Sequence, residues 1–177
     1  MILGFTGHRP ASLPGSYSDR TNRALLNTAD FILAQYKPTK VISGMALGWD
    51  TAVAQQRGWT SGGNLRVPHA QSAIDRGIGL IAAIPFKSQS SKWPPHSQDR
   101  YQKLLERAER IEIISSSDYS LQAMQQRNQW IVNYCDLLIA LWHQDRSGTK
   151  NCVDYALAIN RPTFNCWETF KYFYHYS

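Results

Sequence analysis

The chain has 177 residues, 43% of them apolar and 18% charged, with a formal net charge of +6 and an isoelectric point near 9.3. That length suits one domain with a sizeable core, and 11 glycines with 8 prolines exclude a collagen-like or low-complexity chain. The positive charge is spread as +3, +2 and +1 over residues 1–60, 61–120 and 121–177, without a basic run, so it suits a small phosphate-bearing ligand about as well as nucleic acid.

Residues 2–6 are a compact apolar run and read as the first strand. They lack the basic flank and cleavage-type tail of a signal peptide, so a cytoplasmic location is expected. No apolar run approaches the roughly 18 residues of a spanning helix, and no membrane partner is expected. A helix is predicted over 22–36, with Leu25, Leu26, Ala29, Ile32 and Leu33 at 3- and 4-residue spacing. Residues 40–43 are the second strand, and 51–56 open the second helix. The Gly- and Ser-rich stretch 58–75 interrupts the rhythm before a third strand at 80–85. A helix over 98–108, a strand over 109–115, a helix over 121–134, a strand over 136–142, a helix over 151–160 and a strand over 162–166 follow. Near-continuous apolar strands alternating with helices predict an α/β, doubly wound, mostly parallel sheet with helices on both faces. Residues 1–177 are expected to form one ligand-binding domain. The tail 167–177, with six aromatics in eleven residues, is expected to pack on the sheet edge or on a second subunit, which favours a homo-oligomer.

Cys135, Cys152 and Cys166 are odd in number and widely spaced, and the five histidines are scattered. Reduced, buried thiols are expected, with no metal centre and no cofactor. In a doubly wound sheet, ligands sit beyond the carboxyl ends of the strands, where loop glycines let a phosphate approach a helix N-terminus. Three segments have that composition: Gly7, His8 and Arg9 after the first strand, Ser43, Gly44, Gly48 and Asp50 after the second, and Ser147, Gly148 and Thr149 after the fifth. None of them forms GxGxxG or GxxxxGK[ST], which disfavours a dehydrogenase or a P-loop ATPase.

The helix over 121–134 carries a second signal. Its stripe is read as Leu121, Met124, position 128, Ile131 and Cys135, yet position 128 is an asparagine with Arg127 beside it. An amide and a guanidinium at core-facing positions need partners. Either they satisfy backbone carbonyls at the sheet end or, as is expected here, both line the ligand cleft, with Arg127 held mainly by the ligand's anionic group. On that expectation, truncating Arg127 would lower affinity and leave the melting temperature near wild type.

Single residues have competing readings. His8 suits a phosphate contact, proton transfer or a structural hydrogen bond. Arg9 follows a glycine and suits a phosphate. Asp50 suits a ribose hydroxyl or the N-cap of the second helix. Trp93, in Lys-Trp-Pro-Pro, suits a lid that stacks on a base or simple packing. Cys152 reads as an inert, small apolar residue.

The segments Thr-Gly-His-Arg-Pro at 6–10, Ser-Gly-Met-Ala-Leu-Gly-Trp-Asp at 43–50, Ile-Pro-Phe at 84–86 with Trp93 and 98–101, Arg-Asn-Gln-Trp at 127–130 and Ser-Gly-Thr at 147–149 occur in that order. Together they resemble the SLOG superfamily, over roughly residues 1–166. The resemblance implies a Rossmann-like fold and a nucleotide or nucleotide-derived ligand of ADP-ribose or nucleoside-phosphate type. It further implies sensing or sequestering a signalling nucleotide, as in phage–host defence or anti-defence. The related Lonely Guy phosphoribohydrolases combine an arginine on this helix with Pro-Gly-Gly-x-Gly-Thr-x-x-Glu. Arg127, Gly148 and Thr149 are similar to that signature, but its glutamate position falls on Cys152. Cleavage of an N-glycosidic bond uses such a carboxylate, so binding without turnover is expected, and the alternative is a phosphoribohydrolase on nucleoside 5′-monophosphates with Asp154 or Asp50 in the glutamate's place. The related DNA-processing protein A family resembles the chain at 43–50, 127–128 and 147–148, which makes single-stranded nucleic acid the third possible partner.

Overall fold

The computed structural model describes residues 1–54, 73–144 and 146–176. Most of the stretch 58–75, and positions 55–56 of the second predicted helix, lie outside the described residues. Six strands run β1 (Ile2–Gly7), β2 (Lys40–Ser43), β3 (Gly79–Ile84), β4 (Arg110–Ile113), β5 (Leu137–Leu141) and β6 (Thr163–Asn165). They form one sheet in the order β4-β3-β2-β1-β5-β6, and every pair is parallel. The α/β, Rossmann-like expectation holds.

Helices α1 (Asp19–Tyr36), α2 (Trp49–Ala54), α3 (Pro95–Glu106), α4 (Leu121–Tyr134), α5 (Gly148–Ala158) and α6 (Trp167–Tyr176) cover both faces. Leu3, Phe5, Val41, Leu80 and Ala82 pack with residues of α1, α2, α3 and α6. Ile42, Ile81, Ala83, Leu138 and Ala140 pack with α4 and α5. Alternate strand residues thus bury on opposite faces, as the pleat requires.

Helix starts depart from the periodicity by a few residues, and caps explain it. Ser18 Oγ accepts Thr21 N–H at 3.2 Å, and Ser147 Oγ accepts Lys150 N–H at 3.3 Å. Each hydroxyl satisfies an orphan donor, so α1 and α5 begin three residues before the apolar pattern does. The aromatic tail is corrected as well. It is helix α6, lying along α1 on a sheet face rather than at the edge, with Phe170 fully buried. Trp167, Phe170 and Tyr174 recur at helical spacing, and their rings stack in turn at 5.4 and 5.9 Å.

The chain builds outward from β1 to β4, then crosses back along α4 to place β5 on the other side of β1. The strand order reverses between β1 and β5. In such sheets the crevice for a ligand opens beyond that point. No described helix is long and apolar enough to cross a membrane. No three His, Cys, Asp or Glu among the described residues are grouped to hold a metal ion.

Candidate functional site

Helix α4 buries a different line from the one its sequence suggests. Leu121 is 79% exposed, while Ala123, Arg127, Ile131, Val132 and Cys135 are buried. The true stripe runs at four-residue steps from Ala123, which puts Arg127 at its centre and Asn128 on its flank. Arg127, 6% exposed, reaches across to the carboxyl end of β2. There its Nη1 meets Asp50 Oδ2 at 3.3 Å. The same carboxylate oxygen accepts Ala46 N–H at 3.4 Å. Arg127 Nε is buried and has no acceptor among the described residues. The guanidinium is thus held by one long contact and keeps a donor unused.

Gly44 makes this placement possible. A Cβ there would fall on Arg127 Nη1 and lie 2.7 Å from Asp50 Oδ2. The guanidinium and the carboxylate both rest over the bare backbone, a close approach only glycine permits. The Gly44 carbonyl accepts Gln89 Nε2–H at 3.0 Å, and Tyr101 Oη lies 3.4 Å from Gln89 Oε1. Trp93 is half-buried with its ring edge-on to Tyr101 at 5.3 Å. It stands one residue behind the cluster.

Burial raises the Asp50 carboxyl above its usual range, and Arg127 opposes that shift first, followed by the Ala46 N–H and Arg9. Arg9 itself is exposed at the rim. Asp50 lies within α2, so the N-cap reading is withdrawn. The expectation that Arg127 is held mainly by a ligand also changes, because Asp50 is its partner in the protein.

The fifth-strand loop closes the other side. Asn128 Nδ2–H donates to the Gly148 carbonyl at 3.2 Å, which ties α4 to the start of α5. Nothing among the described residues stands within 4 Å of where a Gly148 Cβ would sit. The first turn of α5 therefore opens to solvent beside the Arg127 cluster. Ser147 caps that helix, and Thr149 is buried behind it.

Four predicted residues serve the scaffold instead. Gly7 is a glycine because Trp49 Cδ1 would lie 2.5 Å from its Cβ. Gly48 has φ +99° and abuts Pro10 of the first loop. Ser43 Oγ donates to the Asp50 carbonyl at 2.8 Å and accepts Met45 N–H at 3.1 Å. His8, 4% exposed, stacks on His143 at 4.2 Å, and its Nε2 accepts His143 N–H at 3.2 Å. An imidazole in that contact carries its proton on Nδ1. It joins the loops after β1 and β5.

Gln89 and Tyr101 were not anticipated as site residues. Their positions on the loop after β3 and on α3 carry no periodic mark that distinguishes them. Cys152 bonds Thr6 and is pushed up to about 12 by burial, while Cys135 is pushed up to about 11. Neither is a nucleophile at neutral pH. The native protein is expected to leave Cys152 unmodified by iodoacetamide at about pH 8, with urea-unfolded chains reacting at all three thiols. Intact-mass measurement reads this, and rapid labelling of native Cys152 would contradict it. Asp154, the other carboxylate near the hydrolase position, is exposed and paired with Lys150 at 2.5 Å.

The model of the YspA SLOG family matches residues 75–164, a segment that includes Arg127, Asn128 and the start of α5. The SPbeta prophage-derived protein YoqJ of Bacillus subtilis is 26% identical over 143 residues, 75% of this chain and 77% of that protein. A UPF0398 protein of Halalkalibacterium halodurans is 29% identical over 75 residues, covering 42% of this chain and 40% of its own. Among solved structures, DNA processing protein A from Helicobacter pylori, described for its single-stranded DNA binding mode, aligns with a TM-score of 0.59 at 17% identity. That alignment spans 93% of this chain but 64% of the other. DNA processing protein A from Streptococcus pneumoniae gives 0.57 at 16%, over 99% of this chain and 54% of the other. At these identities the likeness is one of fold.

Proposed function

This chain belongs to the YspA SLOG family, and we propose that the carboxyl end of its sheet binds a nucleotide or nucleotide-derived ligand of ADP-ribose or nucleoside-phosphate type. One observation carries the reading: buried Arg127 keeps Nε without an acceptor among the described residues, beside an open helix start at Gly148. A buried guanidinium donor left unmade is costly, and a phosphate oxygen is the acceptor its geometry fits best. The first turn of α5 adds backbone N–H groups and the positive end of an 11-residue helix. Arg9 contributes charge from the rim, and Gln89, Tyr101 and Trp93 form the polar and aromatic wall available to a sugar or base. Bound there without turnover, the ligand is sensed or sequestered. The prophage origin of YoqJ supports a role in phage–host conflict.

Mass spectrometry of small molecules released from the purified protein tests this first, followed by calorimetric titration with ADP-ribose and AMP. Saturable binding with the ligand recovered intact is expected. Multiple-turnover release of free adenine from AMP would replace the reading with a phosphoribohydrolase. The fold shared with DNA processing protein A favours single-stranded DNA as the second reading. It predicts a steep loss of affinity with salt, because several phosphates are neutralised at once. One or two phosphates in a closed site give a shallow slope. A steep slope with oligonucleotides, and no thermal shift with any mononucleotide or ADP-ribose, would decide for DNA.

A further inference from the structure

The charges around Arg127 bear on the kind of phosphate the site accepts. Within the buried layer the guanidinium and the Asp50 carboxylate cancel, each side chain only 7% exposed. From the loop after β1, Arg9 adds one positive charge to the field at Asp50. The remaining groups near the pair are neutral at pH 7 or committed elsewhere. The Cys152 thiol on α5 and the Tyr101 phenol on α3 are both raised to about 12, and the group contributed by the loop after β2 is the Ala46 N–H. Lys150, at the start of α5, is paired with Asp154. The site therefore offers about one net positive charge, with the Asp50 carboxylate within reach of any anion seated on Arg127.

A phosphodiester carries one negative charge, whereas a terminal monoester carries nearly two at neutral pH on a single phosphorus. The second charge would stand beside Asp50 with no cation among the described residues left to meet it, and like charges at such range in a buried site do not both stay ionised. Resting on the nucleotide reading above, we infer that the site selects a singly charged, diester-type phosphate and disfavours a terminal phosphomonoester, with Asp50 as the residue that sets the preference. A monoester enters only together with a proton, taken up by the ligand or by Asp50.

Cyclic AMP and AMP share base and sugar and differ in this charge, and ADP-ribose is titrated beside them as the test of the nucleotide reading. Calorimetric titrations at about pH 7.5 should show AMP binding weaker than cyclic AMP by about tenfold or more. The gap should close near pH 5.5, because the second phosphate ionisation lies at about 6. Between those limits AMP binding should take up about one proton, read by comparing buffers of different ionisation heat. Asp50→Asn should narrow the gap at about pH 7.5 to within roughly twofold. If that variant does not fold, the wild-type pH profile still decides. AMP binding as tightly as cyclic AMP at the higher pH, or a gap that does not change with pH, overturns the selection and leaves the nucleotide reading standing. Absence of binding by all three removes both. A single-stranded oligonucleotide presents the same diester, and its binding with a steep salt slope would assign the preference to a polynucleotide.

Discussion

Arg127→Ala is expected to melt well below wild type and to lose ADP-ribose binding in the same variant. The substitution leaves the Asp50 carboxylate buried, 7% exposed, without its cation. Breaking a buried ion pair from one side typically costs about 3–5 kcal/mol. The loss depends on pH in a defined direction. The Asp50 carboxyl is already raised by burial, and Arg127 is the strongest group opposing that shift. Without Arg127 the folded-state value rises further above the unfolded one, so the native state binds the extra proton and stability falls as pH rises through that window. The deficit of the variant is therefore largest at neutral pH and shrinks as pH falls towards about 4, the unfolded carboxyl value. Denaturant melts of wild type and variant across pH measure it. The double variant Arg127→Met with Asp50→Asn should recover most of the stability and none of the binding. A single variant that melts like wild type would mean that the pair contributes nothing to the fold.

Gly44→Ala is the second large effect, and it separates binding from packing in another way. Its new Cβ would occupy the place of Arg127 Nη1 and press on Asp50 Oδ2 at 2.7 Å. The guanidinium must leave its seat. Overpacking of this kind costs about 1–3 kcal/mol of stability. Loss of the arginine from the anion costs roughly 2–5 kcal/mol of affinity, as when one partner of a buried charge pair is truncated. Gly148→Ala is the comparison for stability alone, since nothing among the described residues stands within 4 Å of its Cβ and it lies at the start of α5. It should keep or slightly raise stability, by up to about 1 kcal/mol. Paired thermal melts and ADP-ribose titrations compare the two alanines. Gly44→Ala binding ADP-ribose as tightly as wild type would show that Gly44 plays no part in seating the ligand.

The sheet was legible because its strands are buried on both faces and leave uninterrupted apolar runs, such as 80–85. The loops of the proposed site were expected for a related reason, since parallel sheets place ligands at strand carboxyl ends. Arg127 stood out as a cation in a helix that had to be buried. Its phase did not, because Leu121 and Met124 suggest a stripe one step away from the real one. Leu121 sits in the first turn and points to solvent, so its apolar character misleads. The Asp50 partner lies 77 positions away, and no local pattern announces a pairing of that separation. Glycine composition was ambiguous for a similar reason. Gly44 clears space for the guanidinium, whereas Gly7 clears space for Trp49, and the sequence marks both alike. For His8 the sequence left a phosphate contact, proton transfer and a structural hydrogen bond open, and the His143 contact is of the last kind.

The most direct test is the Arg127 Nε–H signal in an NMR spectrum of the arginine side chains, assigned by its loss in Arg127→Lys. Addition of ADP-ribose should shift that resonance and slow its exchange with water, as Nε gains the acceptor it lacks among the described residues. Saturable binding of ADP-ribose with an unmoved Arg127 Nε–H would contradict a ligand seated on this arginine.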